Sequence, residues 1–279
     1  MKSADGDIQR LPRDRRGVAP ESSRADAAEE SLRPRGASSS PSTPRLVLLV
    51  GTGNPHKVEE ISAVLADPER TDGKHVEVAG ADILPRDEPV EETGETFHEN
   101  ARIKAEAYAR LALELAPERR PRWVIADDSG LAVDALRGAP GIHSARYAGP
   151  KATARDNNRK LLEAMEGVPA SRRGAEFVCV IACVELLLPH QQAQASPHQQ
   201  AQGPPPRELS AFFAEGRCRG VILTQERGTG GFGYDPLFLV PDLQKTFAEL
   251  SQEEKNRISH RGRALQVLRE KLLERMRIW

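Results

Sequence analysis

Trp123-Val-Ile-Ala-Asp-Asp-Ser-Gly130 is the stretch on which the fold turns. Its apolar start reads as a short buried strand over 123–126, and the carboxylates and glycine that follow read as the strand's end. Strands of this kind alternate with helical patterns along the chain, which implies an α/β domain. In open α/β sheets ligands bind beyond the carboxyl ends of the strands, where these two aspartates would stand. Neighbours on an extended chain point to opposite faces, so Asp127 and Asp128 cannot serve one site equally. One of them, facing a cleft, could hold Mg²⁺ and orient water. A polar Asx turn closed by Ser129 and Gly130 accounts for the same residues.

Upstream, the apolar run 46–50 reads as a strand that passes directly into Gly51-Thr-Gly-Asn-Pro-His-Lys57. Asn54 is a good N-cap, Pro55 suits the first helical position, and Val58, Ile61 and Leu65 mark one apolar face. Such a turn offers an anion unpaired N–H groups and a positive dipole, and Lys57 adds a charge. It is not a P-loop: no glycine precedes the lysine, and Val58 stands where Ser or Thr is required. A tight turn needing only Gly and Asn is the competing reading. Residues 76–79 read as a second strand. The capping box TFHE (96–99) opens a helix with Phe97, Ala101, Ala105, Tyr108 and Leu115 inward. Thr96, Asn100 and Lys104 form a polar stripe on it, suited to a phosphate chain or simply solvated. Glu91 and Glu92, in the loop before, carry oxygens that suit a hard cation.

Downstream, 157–165 reads as a helix, 176–188 as a strand and 209–215 as the start of another. Between those strands lies a low-complexity insertion, 189–207, with the imperfect repeat PHQQAQASPHQQAQ. His190 and His198 fall there, on a solvent loop rather than a metal site. The turn GTGGFGYD (228–235) leads into a strand at 236–240. Its glycines allow close backbone approach to a ligand, and Phe232 or Tyr234 could stack on a base; a bend carrying core aromatics is the alternative. A second capping box, SQEE (251–254), precedes Lys255, Ser259, His260 and Arg261, which gather at a helix–helix junction. A basic cluster there is commonly solvent-facing, and His260 lacks a Cys or His partner at metal-ligand spacing. Leu265, Leu268 and Leu272 line the closing helix.

The chain has 279 residues and a formal net charge of -1. The length allows a sizeable core, and the even charge gives no pull toward nucleic acid or a membrane surface. Residues 1–45 are polar and aperiodic and read as a disordered leader, or as the product of a start codon placed too far upstream. Their Arg, Ser and Pro content suggests a transit peptide, but interspersed acidic residues oppose it. No apolar run is long enough for a membrane span. Cys179, Cys183 and Cys218 form no CxxC pair; the first two, on one strand face, would stand roughly 13 Å apart, too far for a disulfide. A reduced, cytoplasmic setting follows.

Taken in order, five segments resemble the non-canonical purine nucleoside triphosphate pyrophosphatases, the inosine triphosphate pyrophosphatase family. They are TGNPHK (52–57), EETGETFHENARIKA (91–105), IADDSGLAVDALRGAPGIHSARYAG (125–149), GTGGFGYDPLF (228–238) and KTFAELSQEEKNRISHRGRAL (245–265). They cover nearly all of 46–265. The departures are the leader, the insertion, and Pro150-Lys151 where an acidic turn is usual. The resemblance implies a long curved mixed sheet with flanking helices and two lobes around a substrate cleft, and a homodimer. It implies Mg²⁺-dependent hydrolysis of ITP, dITP and XTP to the monophosphate and pyrophosphate. On these positions it implies that Thr52, Gly53, Asn54, Pro55, His56 and Lys57 wrap the triphosphate, and that Asp128 is the catalytic carboxylate at the metal and attacking water. Glu91 would help hold Mg²⁺. Lys104, Ser129 and Lys255 would contact the nucleotide. Phe232, Gly233, Tyr234 and Asp235, with His260 and Arg261, would form the base pocket. Asp127 would turn the other way and steady the strand end or the second metal shell.

Overall fold

The computed structural model describes residues 46–65, 76–86, 90–186 and 209–277. The expected leader, the insertion and the strand residues 187–188 lie outside the described residues. Among those described, β1 (Leu46–Val50), β2 (Val76–Ala79), β3 (Trp123–Val133), β4 (Gly174–Glu185), β5 (Ala211–Ile222), β6 (Phe238–Val240) and β7 (Lys245–Thr246) form one sheet. Its order is β2-β1-β3-β4-β5-β6-β7. β1 runs parallel to β2 and β3, and every later pairing is antiparallel, so the sheet is mixed. Parallel neighbours need crossovers. Helix α1 (Pro55–Leu65) supplies the one from β1 to β2, and α2 (Phe97–Leu113) lies between β2 and β3. Helix α3 (Ala154–Ala164) precedes β4, while α4 (Gln252–Ile258) and α5 (His260–Arg277) close the chain.

The capping boxes at Thr96 and Ser251 form as the sequence suggests. Helix α3 begins three residues earlier than expected, because Thr153 and Asp156 make another capping box. The strand expected from residue 236 begins at Phe238, since Leu237 still belongs to the turn, its N–H donating to Tyr234 O at 2.9 Å.

The largest difference concerns β3. It does not stop at Ala126 but continues through both aspartates to Val133. Asp127 and Asp128 stay paired with β4, opposite Ile181 and Val180. The strand that ends is β1: its last partner on β3 is Ile125, whose carbonyl accepts from Gly51 N at 2.7 Å. The carboxylates therefore lie beside the carboxyl end of a parallel strand without ending their own.

Alternation along β3 divides the core. Trp123 and Ile125 pack with Ile61, Leu65, Leu265 and Leu268, on the face covered by α1 and α5. Val124 and Ala126 pack with Ala101, Ala105, Tyr108 and Ala109 of α2. A third cluster joins Leu131 and Leu161 to Phe177, Phe238 and Phe247. Continued period-two alternation carries Asp127 to the first face and Asp128 to the second.

Helix α5 lies directly on β5 at Gly216. A Cβ there would overlap the His260 carbonyl and the Ala264 nitrogen, both backbone atoms with no rotamer to yield. Gly216→Ala is expected to destabilise the protein by about 1–3 kcal/mol through overpacking; thermal unfolding measures it, and an unchanged Tm would show that the helix can shift freely.

Candidate active site

The turn after β1 is held by short bonds of its own. Thr52 N donates to Val50 O at 3.0 Å, and Asn54 N donates to Thr52 Oγ1 at 3.1 Å. Asn54 O accepts from Lys57 N and Val58 N, which starts α1 behind it. Gly51 is required here, because a Cβ would run into the Tyr108 ring. Thr52, Gly53, Lys57, Lys104, Glu92 and Asp127 line a cleft of about 360 Å³.

The two aspartates take different partners. Lys57 Nζ donates to Asp127 Oδ1 at 3.0 Å, and Arg261 Nη2 donates to Asp127 Oδ2 at 3.3 Å. Ser129 Oγ donates to the same oxygen and accepts from Arg261 Nη2 at 3.1 Å. Burial alone would push the Asp127 carboxyl up, but Lys57, Arg261 and Lys104 outweigh it and hold the group well below the carboxylate range. Arg261 is anchored in turn by Glu60, a buried carboxylate of α1.

Asp128 faces α2. Lys104 Nζ bonds Asp128 Oδ1 at 3.0 Å and Glu92 Oε1 at 2.7 Å, while Arg146 Nη1 reaches Glu92 Oε2 at 3.2 Å. Burial pushes the Asp128 carboxyl up, with Glu92 adding to it, and Lys104 only partly offsets the rise. Asp128 Oδ2 is buried and has no hydrogen-bond partner among the described residues.

A second pocket of about 260 Å³ adjoins the first and shares Lys57 with it. Asn54, Ser129, Phe232, Gly233, Tyr234, Asp235, His260 and Arg261 all line it. Phe232 is 36% exposed and offers a ring face, with Lys255 Nζ 4.4 Å from its centroid. Tyr234 is buried and its hydroxyl donates to Ser144 O at 2.9 Å, so it is a wall of the pocket rather than a stacking platform. Asp235 accepts from Phe232 N and from Lys255 Nζ, both at 2.8 Å, and so shapes the glycine-rich turn. His260 stacks on Phe177 with ring centroids 4.7 Å apart. Burial, with Arg261 and Lys255 nearby, holds it well below the usual histidine range, so it is neutral. His260 Nδ1 and Arg261 Nε are buried without a partner among the described residues.

The structure thus brings Thr52, Gly53, Asn54, Lys57, Lys104, Ser129, Phe232, Gly233, Tyr234, Asp235, His260 and Arg261 to two joined pockets, with Asp128 beside Lys104; Pro55 and His56 open α1. Glu91 and Lys255 are not among the residues lining these two pockets. Glu91 is exposed, and the carboxylate that reaches Lys104 is Glu92. Lys255 is 3% exposed, paired with Asp235 and Glu60 beneath Phe232. It therefore lies behind the base-side pocket and not in the phosphate-side cleft. Lys255, Ser259, His260 and Arg261 are buried, not solvent-facing. Glu60 and Arg146 went unnoticed in the sequence; only Glu60 left a signal, three residues after Lys57 on the same helix face.

An α/β chain with a lysine- and carboxylate-lined cleft at the end of its parallel strands is the class so defined. The Ham1 family model matches residues 48–271, and the chain belongs to the Ham1 family. It is 42% identical over 229 residues to the dITP/XTP pyrophosphatase of Thermoanaerobacter pseudethanolicus, spanning 82% of this chain and 98% of that one. To the dITP/XTP pyrophosphatase of Desulforamulus reducens it is 44% identical over 231 residues, 83% of this chain and 97% of the other. The solved Ham1 protein structures from Staphylococcus aureus and Coxiella burnetii superpose with TM-scores of 0.61 and 0.63. Both are 37% identical and cover 82% of this chain and 99% of their own.

The contrast between the aspartates has a stability consequence. Asp127→Asn leaves Lys57 and Arg261 without their shared charge and is expected to cost about 3–5 kcal/mol. Because the folded pKa of Asp127 is depressed, its contribution is complete above the unfolded value near 3.8 and is lost as pH falls through the folded one. The gap between wild type and Asp127→Asn should therefore narrow in acid. Asp128, whose pKa is raised, costs stability when ionised, so Asp128→Asn should be as stable as wild type or more so at neutral pH. Urea titrations across pH check both; a more damaging change at 128 would reverse the assignment of faces.

Proposed function

We propose that this protein hydrolyses non-canonical purine nucleoside triphosphates (dITP, XTP and ITP) to the monophosphate and pyrophosphate, clearing them from the nucleotide pool before incorporation into DNA or RNA. The observation that carries this reading is the meeting of two pockets at Lys57. One is cationic and carboxylate-lined, suited to a phosphate chain; the other has an aromatic face and buried polar groups, suited to a base. The dITP/XTP pyrophosphatase relatives, matched over nearly their whole length, support the same substrate class.

In this reading the triphosphate lies along the turn 52–57 and is received by Lys57, with Lys104 lining the same cleft. Asp128 is the catalytic base. A carboxylate pushed up by burial accepts a proton from water more readily than an exposed one. Attack at the α-phosphorus expels pyrophosphate, and the lysines stabilise its growing charge. The residues fit a Mg²⁺ ion: Asp128 Oδ2 is buried and unpartnered, and Glu92 converges on the same ammonium. A magnesium ion is commonly held by one or two carboxylates together with substrate phosphates. Asp128 and Glu92 would hold it, and Mg²⁺ supplies charge neutralisation at the phosphates when bound. Discrimination falls to Arg261 Nε, His260 and neighbouring backbone N–H groups. Donors meeting a 6-oxygen lose their partner when adenine presents an amino group, a mismatch that can reach ~10⁴-fold. Guanine shares that oxygen and must be refused at its 2-position. Three buried, free cysteines support a reducing, cytoplasmic setting; the homodimer rests on the family resemblance.

Incubation with dITP and Mg²⁺, with product identification, tests the proposal. Release of dIMP and pyrophosphate is expected. Release of dIDP and orthophosphate would instead make the protein a γ-phosphohydrolase, and no turnover would leave a binding module. Asp128→Asn should lose activity by at least about a hundredfold while keeping its fold.

A further inference from the structure

Lys255 belongs to the floor beneath Phe232, so the lysines that line the phosphate-side cleft are Lys57 and Lys104, and a triphosphate leaves a place for a third cation. We propose that Arg146 fills that place as a phosphate-binding residue, tied to Glu92 until a phosphate chain displaces the carboxylate. The inference rests on the pyrophosphatase reading for the kind of substrate, but its own content is an oligophosphate subsite.

Three observations carry it. Arg146 lies next to both pockets without lining either: Ser144 and Ala145 just before it line the base-side pocket, while its guanidinium reaches Glu92, which lines the cleft. Its backbone is anchored on both sides. Ser144 Oγ accepts from Leu131 N at 2.8 Å; Asn157 receives Ala148 N at 2.8 Å and donates to Ala145 O at 3.1 Å. A rigid segment thus aims a side chain that, at 38% exposure, remains open to a ligand. Finally, Glu92 holds two cations at once, Lys104 on one oxygen and Arg146 on the other. A phosphate chain carries more charge and more acceptor oxygens than one carboxylate, and the planar guanidinium suits it for two parallel bonds. It can draw both cations from Glu92 without either crossing the site. The cleft's side chains form a neutralised set of charges that a phosphate chain re-pairs.

Calorimetric titration with inorganic pyrophosphate and, separately, with inosine, both in metal-free buffer, tests this. Arg146→Ala should weaken pyrophosphate binding about tenfold or more and leave inosine affinity as in wild type. Arg146→Lys should recover part of the loss. Glu92→Gln, which takes the carboxylate partner from Arg146 and leaves Lys104 paired with Asp128, should bind pyrophosphate more tightly than wild type. Unchanged pyrophosphate affinity in Arg146→Ala, an equal fall for both ligands, no pyrophosphate binding by wild type, or weaker binding by Glu92→Gln would each overturn the proposal. Failure of wild type to release pyrophosphate from dITP would instead sink the activity and leave this subsite standing.

Discussion

A carboxylate buried in the middle of a sheet is the constraint around which the rest is arranged. Asp127 is 4% exposed on β3, and a lone charge there would be too costly to keep. It is kept because Lys57 comes to it from α1 and Arg261 from α5. Those two helices cover the same face of the sheet, and Glu60 closes the circuit from α1 back to Arg261. The turn after β1, the central strand and the C-terminal helix are thereby locked to one another by charge as well as by apolar packing. Each pocket borrows a wall from that lock.

One residue further on, the same strand does the opposite. Asp128 is raised rather than lowered, has one unsatisfied oxygen, and shares its cation with Glu92. A group held this way contributes little to stability and is available for chemistry, the trade expected of a functional site. The difference between neighbours comes from the pleat. On the face covered by α1 and α5, Asp127 meets two cations, Lys57 and Arg261; on the face covered by α2, Asp128 meets one, Lys104, and shares it with Glu92.

Much of this was readable in advance. Alternating apolar runs and capping boxes placed the helices and most strands, because those signals are local. The glycine-rich turns and the turn 52–57 stood out because glycine and an N-cap asparagine are demanded by backbone geometry, whatever the chain around them. The end of β3 was misjudged because adjacent aspartates look like a terminus; what keeps them in a strand is β4 alongside, more than forty positions away. Glu91 and Glu92 are indistinguishable in composition, and only the path of the loop decides which meets Lys104. For Lys255, expected as a nucleotide contact, nothing local reveals that Asp235 and Glu60 enclose it.

The sequence by itself determined the α/β class, the order of the elements, the two faces of β3 and the set of residue types that could meet a phosphorylated nucleoside. These follow from period, capping and backbone sterics, which act over a few residues. Tertiary structure alone decided which charges pair: Asp127 with Lys57 and Arg261, Asp128 with Lys104, Glu92 with Arg146, Lys255 with Asp235. Electrostatic energy depends on distance and burial, and both are set by helices and strands that the sequence keeps far apart.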